Sequence, residues 1–329
     1  MTIGRKRGLT GTSDGDAAEQ NARMDRYYAG PQTMVKISRR RRLNLLIAGE
    51  GEPTVIFAPG SGASTVEWML VQHRIARTTR TVAYDNAGFG FSDPGPLPRT
   101  ASATVNDLRA ALKAADIPPP YVLAGWSWGG LIMRLFAFRY PRDVVGMVMV
   151  DSSSEHQMRR LAKDPKVTAW QREYRRKVFT RAEQLARAGG LVAGTPEFEE
   201  LVGEPLPTLT PAVNAARQAQ RTSPGRYRAL RSESASASTT LSEMDAVRRP
   251  LGDMPLIVLT AGKFFPLPPE TLDPPEAWRD YWRTGHDEIA ALSTRGERRT
   301  IDAGHGIQIE KPEAVIAAIE EVLALARGR

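Results

Sequence analysis

The amino-acid sequence predicts an α/β fold: a doubly wound, mostly parallel central sheet with helices on both faces. Three observations carry that expectation. Short runs rich in β-branched and apolar residues alternate with stretches of helical periodicity. Several of those runs are apolar throughout rather than at every second residue, as strands covered on both faces require. The alternation persists along most of the chain, which is the order that parallel strands with crossover helices produce. At 329 residues the chain is long enough to bury a large core, and 41% hydrophobic with 25% charged residues is an ordinary globular composition.

Residues 1–22 come first. They carry Arg5, Lys6 and Arg7 with no apolar stretch behind them, then a small polar run containing Asp14, Asp16 and Glu19. This segment is expected as a mobile tail rather than an export leader. Apolar stretches at 34–37 and 43–47 flank the basic run Arg39, Arg40, Arg41 and Arg42, which reads as a hairpin turn rather than a nucleic-acid contact. Strands are expected at 54–58, 81–84, 121–124, 145–150, 256–260 and 297–301. Between them, Val105, Leu108, Leu112 and Ala115 share one helical face, and 130–138 and 314–325 have the same periodicity. The alternation stops over 152–249, a stretch of helical spacing with Pro165, Pro196, Pro205, Pro207, Pro211 and Pro224 and no convincing strand. It is expected as a helical insertion after the sixth strand, which leaves 23–151 and 250–329 as the α/β core.

Gly125-Trp126-Ser127-Trp128-Gly129 follows one expected strand and opens an expected helix. A serine hydroxyl is a weak nucleophile and must be held out where a histidine can reach it. A sharp strand-to-helix turn does this, glycines on either side allow close chain approach, and the helix N-terminus points amides at a developing oxyanion. With this motif stand three further segments: Phe57-Ala58-Pro59-Gly60-Ser61-Gly62; Tyr84-Asp85-Asn86-Ala87-Gly88-Phe89-Gly90-Phe91-Ser92; and Asp302-Ala303-Gly304-His305-Gly306, followed by Glu310, Lys311 and Pro312. In this order they resemble the α/β-hydrolase family, serine esterase/lipase-like members with a helical lid, over about residues 34–325. The resemblance implies an α/β-hydrolase fold in which 57–62 is the oxyanion loop, Ser127 the nucleophile, 302–306 the histidine loop and 152–249 the lid. Two departures stand out: Pro59 where a His often precedes the glycine, and Asn86 where Arg is usual, read as the loss of a surface ion pair.

Of four histidines, His305 lies in a glycine-flanked loop between an expected strand and the last helix and is the expected general base. His73, in an expected helix, and His286, in a polar, Trp-rich stretch, are expected as surface or hydrogen-bonded residues. His156 is a candidate to touch substrate. The family usually supplies the acid after the seventh strand, but 261–266 holds no carboxylate before Glu270 and Asp273. Asp151, at the carboxyl end of the sixth strand, is therefore the expected acid, with Glu155 and Asp273 as alternatives. A capping role at the start of the insertion is the competing reading of Asp151. The amides of Ser61 and Trp128 are the expected oxyanion donors, and Trp126 is a candidate for the site wall.

Ten Lys or Arg against three acids between Arg159 and Arg187 make up +7 of the net +8. A basic lid could select anionic substrates; a solvated helix face explains the same charge. Zero Cys excludes disulfides, thiolate metal sites and a cysteine nucleophile, and suits a reducing cytoplasm, the expected location. No apolar run approaches the ~20 residues of a membrane span. No phosphate loop, metal spacing or cofactor motif is present, so neither cofactor nor metal is expected, and no nucleic-acid or membrane partner. The expected function is a serine hydrolase acting on a small carboxylic ester or lactone through an acyl-enzyme. Alternatives on the same residues are an aminopeptidase or amidase, cofactor-free haloperoxidase-like chemistry, carbon–carbon bond hydrolysis, and a catalytically inactive ligand-binding protein.

Overall fold

The computed structural model describes residues 14–263 and 275–328. Helix α1 (Asp14–Tyr28) leads into strands β1 (Thr33–Ser38), β2 (Arg41–Ala48) and β3 (Thr54–Ala58). A 3-10 turn (Thr65–Trp68) then runs into α2 (Met69–Ile75). Next come β4 (Thr81–Tyr84), α3 (Ala101–Ala114), β5 (Tyr121–Trp126), α4 (Trp128–Arg139) and β6 (Val144–Val150). Seven α-helices follow before the sheet resumes: α5 (Glu155–Ala162), α6 (Pro165–Tyr174), α7 (Arg181–Arg187), α8 (Pro196–Leu201), α9 (Pro211–Arg221), α10 (Pro224–Ala235) and α11 (Ala237–Val247). The chain closes with β7 (Leu256–Ala261), α12 (Pro275–Ala290), β8 (Gly296–Ile301), α13 (Ile307–Glu310) and α14 (Pro312–Arg327).

The eight strands form one sheet in the order β1-β2-β4-β3-β5-β6-β7-β8. β1 and β2 pair antiparallel, as do β2 and β4, and every other pair is parallel. Successive side chains of a strand point to opposite faces, so the apolar run of β3 serves two cores. Ile56 and Ala58 pack with α3 and α4 residues such as Leu108 and Leu135, whereas Val55 and Phe57 pack with Val71 of α2 and Ile319 of α14. No helix among the described residues is long and apolar enough to cross a membrane.

Four local findings refine the expectations. Residues 14–22, expected within a mobile tail, lie in α1, whose Met24, Tyr27 and Tyr28 pack against the α2/α14 side of the core. The basic run is a hairpin turn as read, and acids meet it: Arg41 bonds Asp107 at 3.0 and 2.6 Å, and Arg42 pairs with Asp93. Asn86 is not a surface residue but 4% exposed, so the position has no room for a solvated ion pair. Pro196, Pro211 and Pro224 do not break the helices of 152–249 but start them, because proline's fixed φ and missing N–H suit the first turn. These helices build a small core of their own, with Phe198, Val202, Tyr227 and Leu230 around Phe89.

The first residue of α5 is fastened to α4. Arg134, 1% exposed, lies 2.5 Å from Glu155 and donates to Ser153 O at 2.6 Å. Burial alone would raise the Glu155 pKa, but the Arg134 charge and hydrogen bond outweigh it and hold the carboxyl below its ordinary value. Arg134→Met should leave Glu155 buried and unpaired, at a loss of about 3–5 kcal/mol in urea unfolding at neutral pH. A depressed folded pKa gives stability above the unfolded pKa that is lost as pH falls through the folded one. The gap between variant and wild type should therefore narrow in acid; a gap independent of pH would refute the pairing.

Candidate active site

The chain leaves β3 toward β4 on one side and reaches β5 on the other. The loops that follow β3 and β5 therefore part at their carboxyl ends and open a crevice, where α/β sheets take their ligands. Ser127 follows β5, and Pro59, Gly60 and Ser61 follow β3.

Ser127 has φ 54° and ψ −122°. A non-glycine residue at positive φ is strained and needs its surroundings to hold it. Here the Ser127 amide donates to Val150 O, and Ser127 O accepts from the Gly130 and Ser153 amides, each at 3.0 Å. A Cβ on Gly125 would lie 2.6 Å from Gly130 Cα, and one on Gly129 2.4 Å from Ala58 O, so the turn closes only with glycine at both places. Across the crevice, a Cβ on Gly60 would meet Ser127 Cβ at 3.3 Å and the Trp126 ring at 3.0 Å. The amides of Ser61 and Trp128 donate to no backbone carbonyl among the described residues.

His305 reaches the crevice from the loop between β8 and α13. Trp126 Nε1 donates to His305 O at 2.8 Å, and the Gly304 amide donates to Glu310 Oε2 at 2.9 Å, which sets the loop's path. His305 Nδ1 donates to Asp151 Oδ2 at 2.7 Å. Asp151 is 3% exposed, and its other oxygen accepts from the Ala261 amide at 2.9 Å and from Trp282 Nε1 at 2.8 Å. Burial works to raise the Asp151 pKa; the hydrogen bonds from His305 and the Ala261 amide work against it, and the carboxyl sits below its ordinary value. Trp126 and Trp282 flank the imidazole with ring centroids 5.3 and 5.8 Å away.

The remaining expected residues are placed as follows. His156 Nδ1 lies 2.8 Å from Glu288 Oε1 at the seam of α5 and α12, so the structure pairs it with α12 rather than with His305 and Asp151. Glu155 belongs to Arg134. Glu270 and Asp273 lie outside the described residues. His73 Nδ1 donates to Met69 O at 2.8 Å within α2. His286 is not at the surface: fully buried, it donates from Nε2 to Ser152 O and accepts at Nδ1 from Thr260 Oγ1, both at 2.8 Å. Burial lowers its pKa against the pull of Asp151, so the ring is neutral.

Trp282 and Glu233 are residues of the site that the sequence does not single out, and His286 is hydrogen-bonded as expected but buried beside it. Trp282 and His286 stand four apart on α12 with Trp278 four before them, one face of a helix, and that spacing was a usable signal. Glu233 had none. It sits 5% exposed on α10 and shares a hydrogen bond with Ser61 Oγ. Burial pushes the Glu233 pKa up to about 7, against the Ser61 bond and the charge of Arg99.

A mostly parallel sheet with a strained serine elbow at its switch point is the architecture of an α/β hydrolase. The model of the Alpha/beta hydrolase family matches residues 55–318, and the chain belongs to that family. The Bacillus subtilis (strain 168) protein YqjL is 36% identical over 103 residues, which cover 31% of this chain and 41% of that protein. The pimeloyl-[acyl-carrier protein] methyl ester esterase of Hamiltonella defensa subsp. Acyrthosiphon pisum (strain 5AT) is 32% identical over 119 residues, 35% of this chain and 43% of the esterase. The chain thus spans less than half the length of these two curated relatives. Among solved structures, a thermophilic esterase from Thermogutta terrifontis matches 90% of this chain and 99% of its own with a TM-score of 0.60 at 21% identity, a likeness of fold.

Because the folded pKa of Glu233 is raised, its contribution to stability is full below the unfolded pKa and is lost as pH rises through about 7. Glu233→Gln fixes the neutral form and keeps a partner for Ser61. Its melting temperature should exceed that of wild type at pH 8.5, with the difference shrinking toward zero at pH 5. A difference that does not change with pH would refute the buried acid.

Proposed function

We propose that the protein is a serine hydrolase that cleaves carboxylic esters or lactones through an acyl-enzyme, with no cofactor. The observation that carries this reading is the 2.7 Å bond from His305 Nδ1 to a buried, ionised Asp151, beside a serine held at positive φ. That bond fixes the imidazole tautomer and leaves Nε2 to act on Ser127. Ser127 Oγ attacks the carbonyl carbon while its proton passes to His305 Nε2. The carbonyl oxygen becomes an oxyanion facing the Ser61 and Trp128 amides. Collapse breaks the bond to the alcohol oxygen, which leaves with the His305 proton. Water then attacks the acyl-enzyme, gives its proton to His305, and the acid departs as the proton returns to Ser127.

In this reading 152–249 is a lid over the core of 23–151 and 250–329, and Trp126 forms part of the site wall. The esterase activity named for the Hamiltonella relative is the kind of chemistry proposed. His156 has no role in it, because its ring is engaged by Glu288.

The test is a pair of variants on a panel of p-nitrophenyl esters and lactones. Ser127→Ala should lose on the order of 10⁴–10⁶ in kcat. Asp151→Asn should lose up to ~10⁴ near neutral pH through the wrong tautomer. A residue that merely caps the chain would tolerate Asn, so a nearly silent Asp151→Asn, with melting temperature unchanged, would remove Asp151 from the mechanism. Wild type should take a fluorophosphonate label at Ser127; no label and no ester turnover would overturn the whole proposal.

A further inference from the structure

Helix α10 lies along the loop that follows β3. Arg226, Leu230 and Glu233 recur at helical spacing, so they share one face. Arg226 Nη2 donates to Gly62 O at 3.2 Å, a Cβ on Gly62 would meet Leu230 at 3.0 Å, and Glu233 holds Ser61. Just before α10, the C-terminal half of α9 carries Arg217 and Arg221.

Arg217 is 9% exposed, and its Nε and Nη1 are buried with no hydrogen-bond partner among the described residues. Arg221 gives Nη1 to Val202 O at 2.5 Å. The carboxylate that faces this group is Glu67, which already accepts from the Ser64 amide at 2.9 Å and from the Ser64 hydroxyl at 3.3 Å. Burial pushes the Arg226 pKa down to about 10, and the like charges of Arg221 and Arg217 add to the fall while Tyr227 and Glu67 oppose it. The guanidinium remains cationic at neutral pH, so three cations meet one committed carboxylate.

The basic run of 159–187 differs. Arg159 pairs with Asp245, Arg176 and Lys177 with Glu173, Arg181 with Glu197 and Arg187 with Glu183, and each of these basic side chains is exposed. Such pairs in water carry little energy and ask for no further partner. A buried guanidinium with unsatisfied N–H groups does ask for one, because its lost hydration is not replaced.

We infer that Arg217, Arg221 and Arg226 form a subsite for a carboxylate carried by the ester substrate; this rests on the ester-hydrolase reading above. The position fits. Gly60 abuts Ser127, and only Ser61 separates it from Gly62, a span of at most about 7 Å. The substrate carboxylate therefore stands a short spacer away from the scissile carbonyl, in its acyl or its alcohol part. Guanidinium forks match carboxylate oxygens in pairs, which fixes orientation as well as charge.

The test compares two matched pairs of esters: monoethyl adipate with ethyl hexanoate, and 3-carboxypropyl hexanoate with butyl hexanoate. Wild type should favour the anionic ester of at least one pair in kcat/KM. Arg217→Met and Arg226→Met should each cut that preference by ~10-fold or more, chiefly through KM, a change of about 1.4 kcal/mol. Arg176→Met, on the exposed run, should leave the preference unchanged. Arg217→Lys keeps the charge and should restore part of it, which guards against a methionine variant that folds poorly. Hydrolysis of all four esters with no anionic preference overturns the subsite and leaves the hydrolase reading standing. If none is cleaved, the hydrolase reading fails, and calorimetry of monoethyl adipate and 3-carboxypropyl hexanoate with Ser127→Ala protein decides the subsite alone. Binding of either that Arg217→Met abolishes upholds it, and no binding, or binding that Arg217→Met leaves intact, overturns it.

Discussion

A carboxylate buried at the mouth of β6 has to be satisfied, and the neighbouring elements are arranged around that requirement. An ionised carboxyl at 3% exposure would be strongly destabilising if left alone. Asp151 instead draws one donor from each of three elements: the Ala261 amide from β7, the Trp282 indole from α12 and the His305 ring from the loop after β8. None of the three can shift without leaving a buried charge short of a partner. His286 ties α12 in from behind, through Thr260 and the Ser152 carbonyl.

Legibility of the fold follows how local each signal is. The runs 54–58 and 81–84 coincide with β3 and β4, because a strand buried on both faces must be apolar along its whole length. Helix α1 was hidden, since its first turns are polar and it is held by Tyr27 and Tyr28 packing on distant elements. At the site, the glycine pattern around Ser127 and His305 is itself the steric requirement of two tight turns, so both residues could be picked out. Asp151 was legible by a different logic, from the lack of a carboxylate just after β7. Trp282, His286 and Glu233 owe their places to contacts between segments far apart in the chain; the spacing of Trp282 and His286 marks a shared helix face but not what that face meets, and Glu233 has no such mark.

The charge of the chain illustrates the same division. Counting residues locates the excess in 159–187, yet Arg159, Arg176, Lys177, Arg181 and Arg187 of that run are exposed and paired with acids. Arg217, with Nε and Nη1 buried and unpartnered among the described residues, lies on α9 beside Arg221 and near Arg226 of α10, a group that no count would single out. Burial, not number, decides which positive charges remain available to a ligand, since water already serves the exposed ones.

Different elements hold the two groups: Asp151 pairs with His305 and the Trp282 indole of α12, while α10 holds the loop after β3 through Gly62 and Ser61. In the proposed acylation, positive charge grows on the imidazole as negative charge grows on the carbonyl oxygen. Each is born next to its complement, and a neutral ground-state ester gains from neither, which is the condition for raising kcat rather than tightening binding alone. A carboxylate seated among Arg217, Arg221 and Arg226 would neutralise much of their field before the oxyanion forms. Their interaction energy then goes to holding the substrate in line with Ser127. The oxyanion is left to the Ser61 and Trp128 amides, whose hydrogen bonds a carboxylate bound at Gly62 does not occupy.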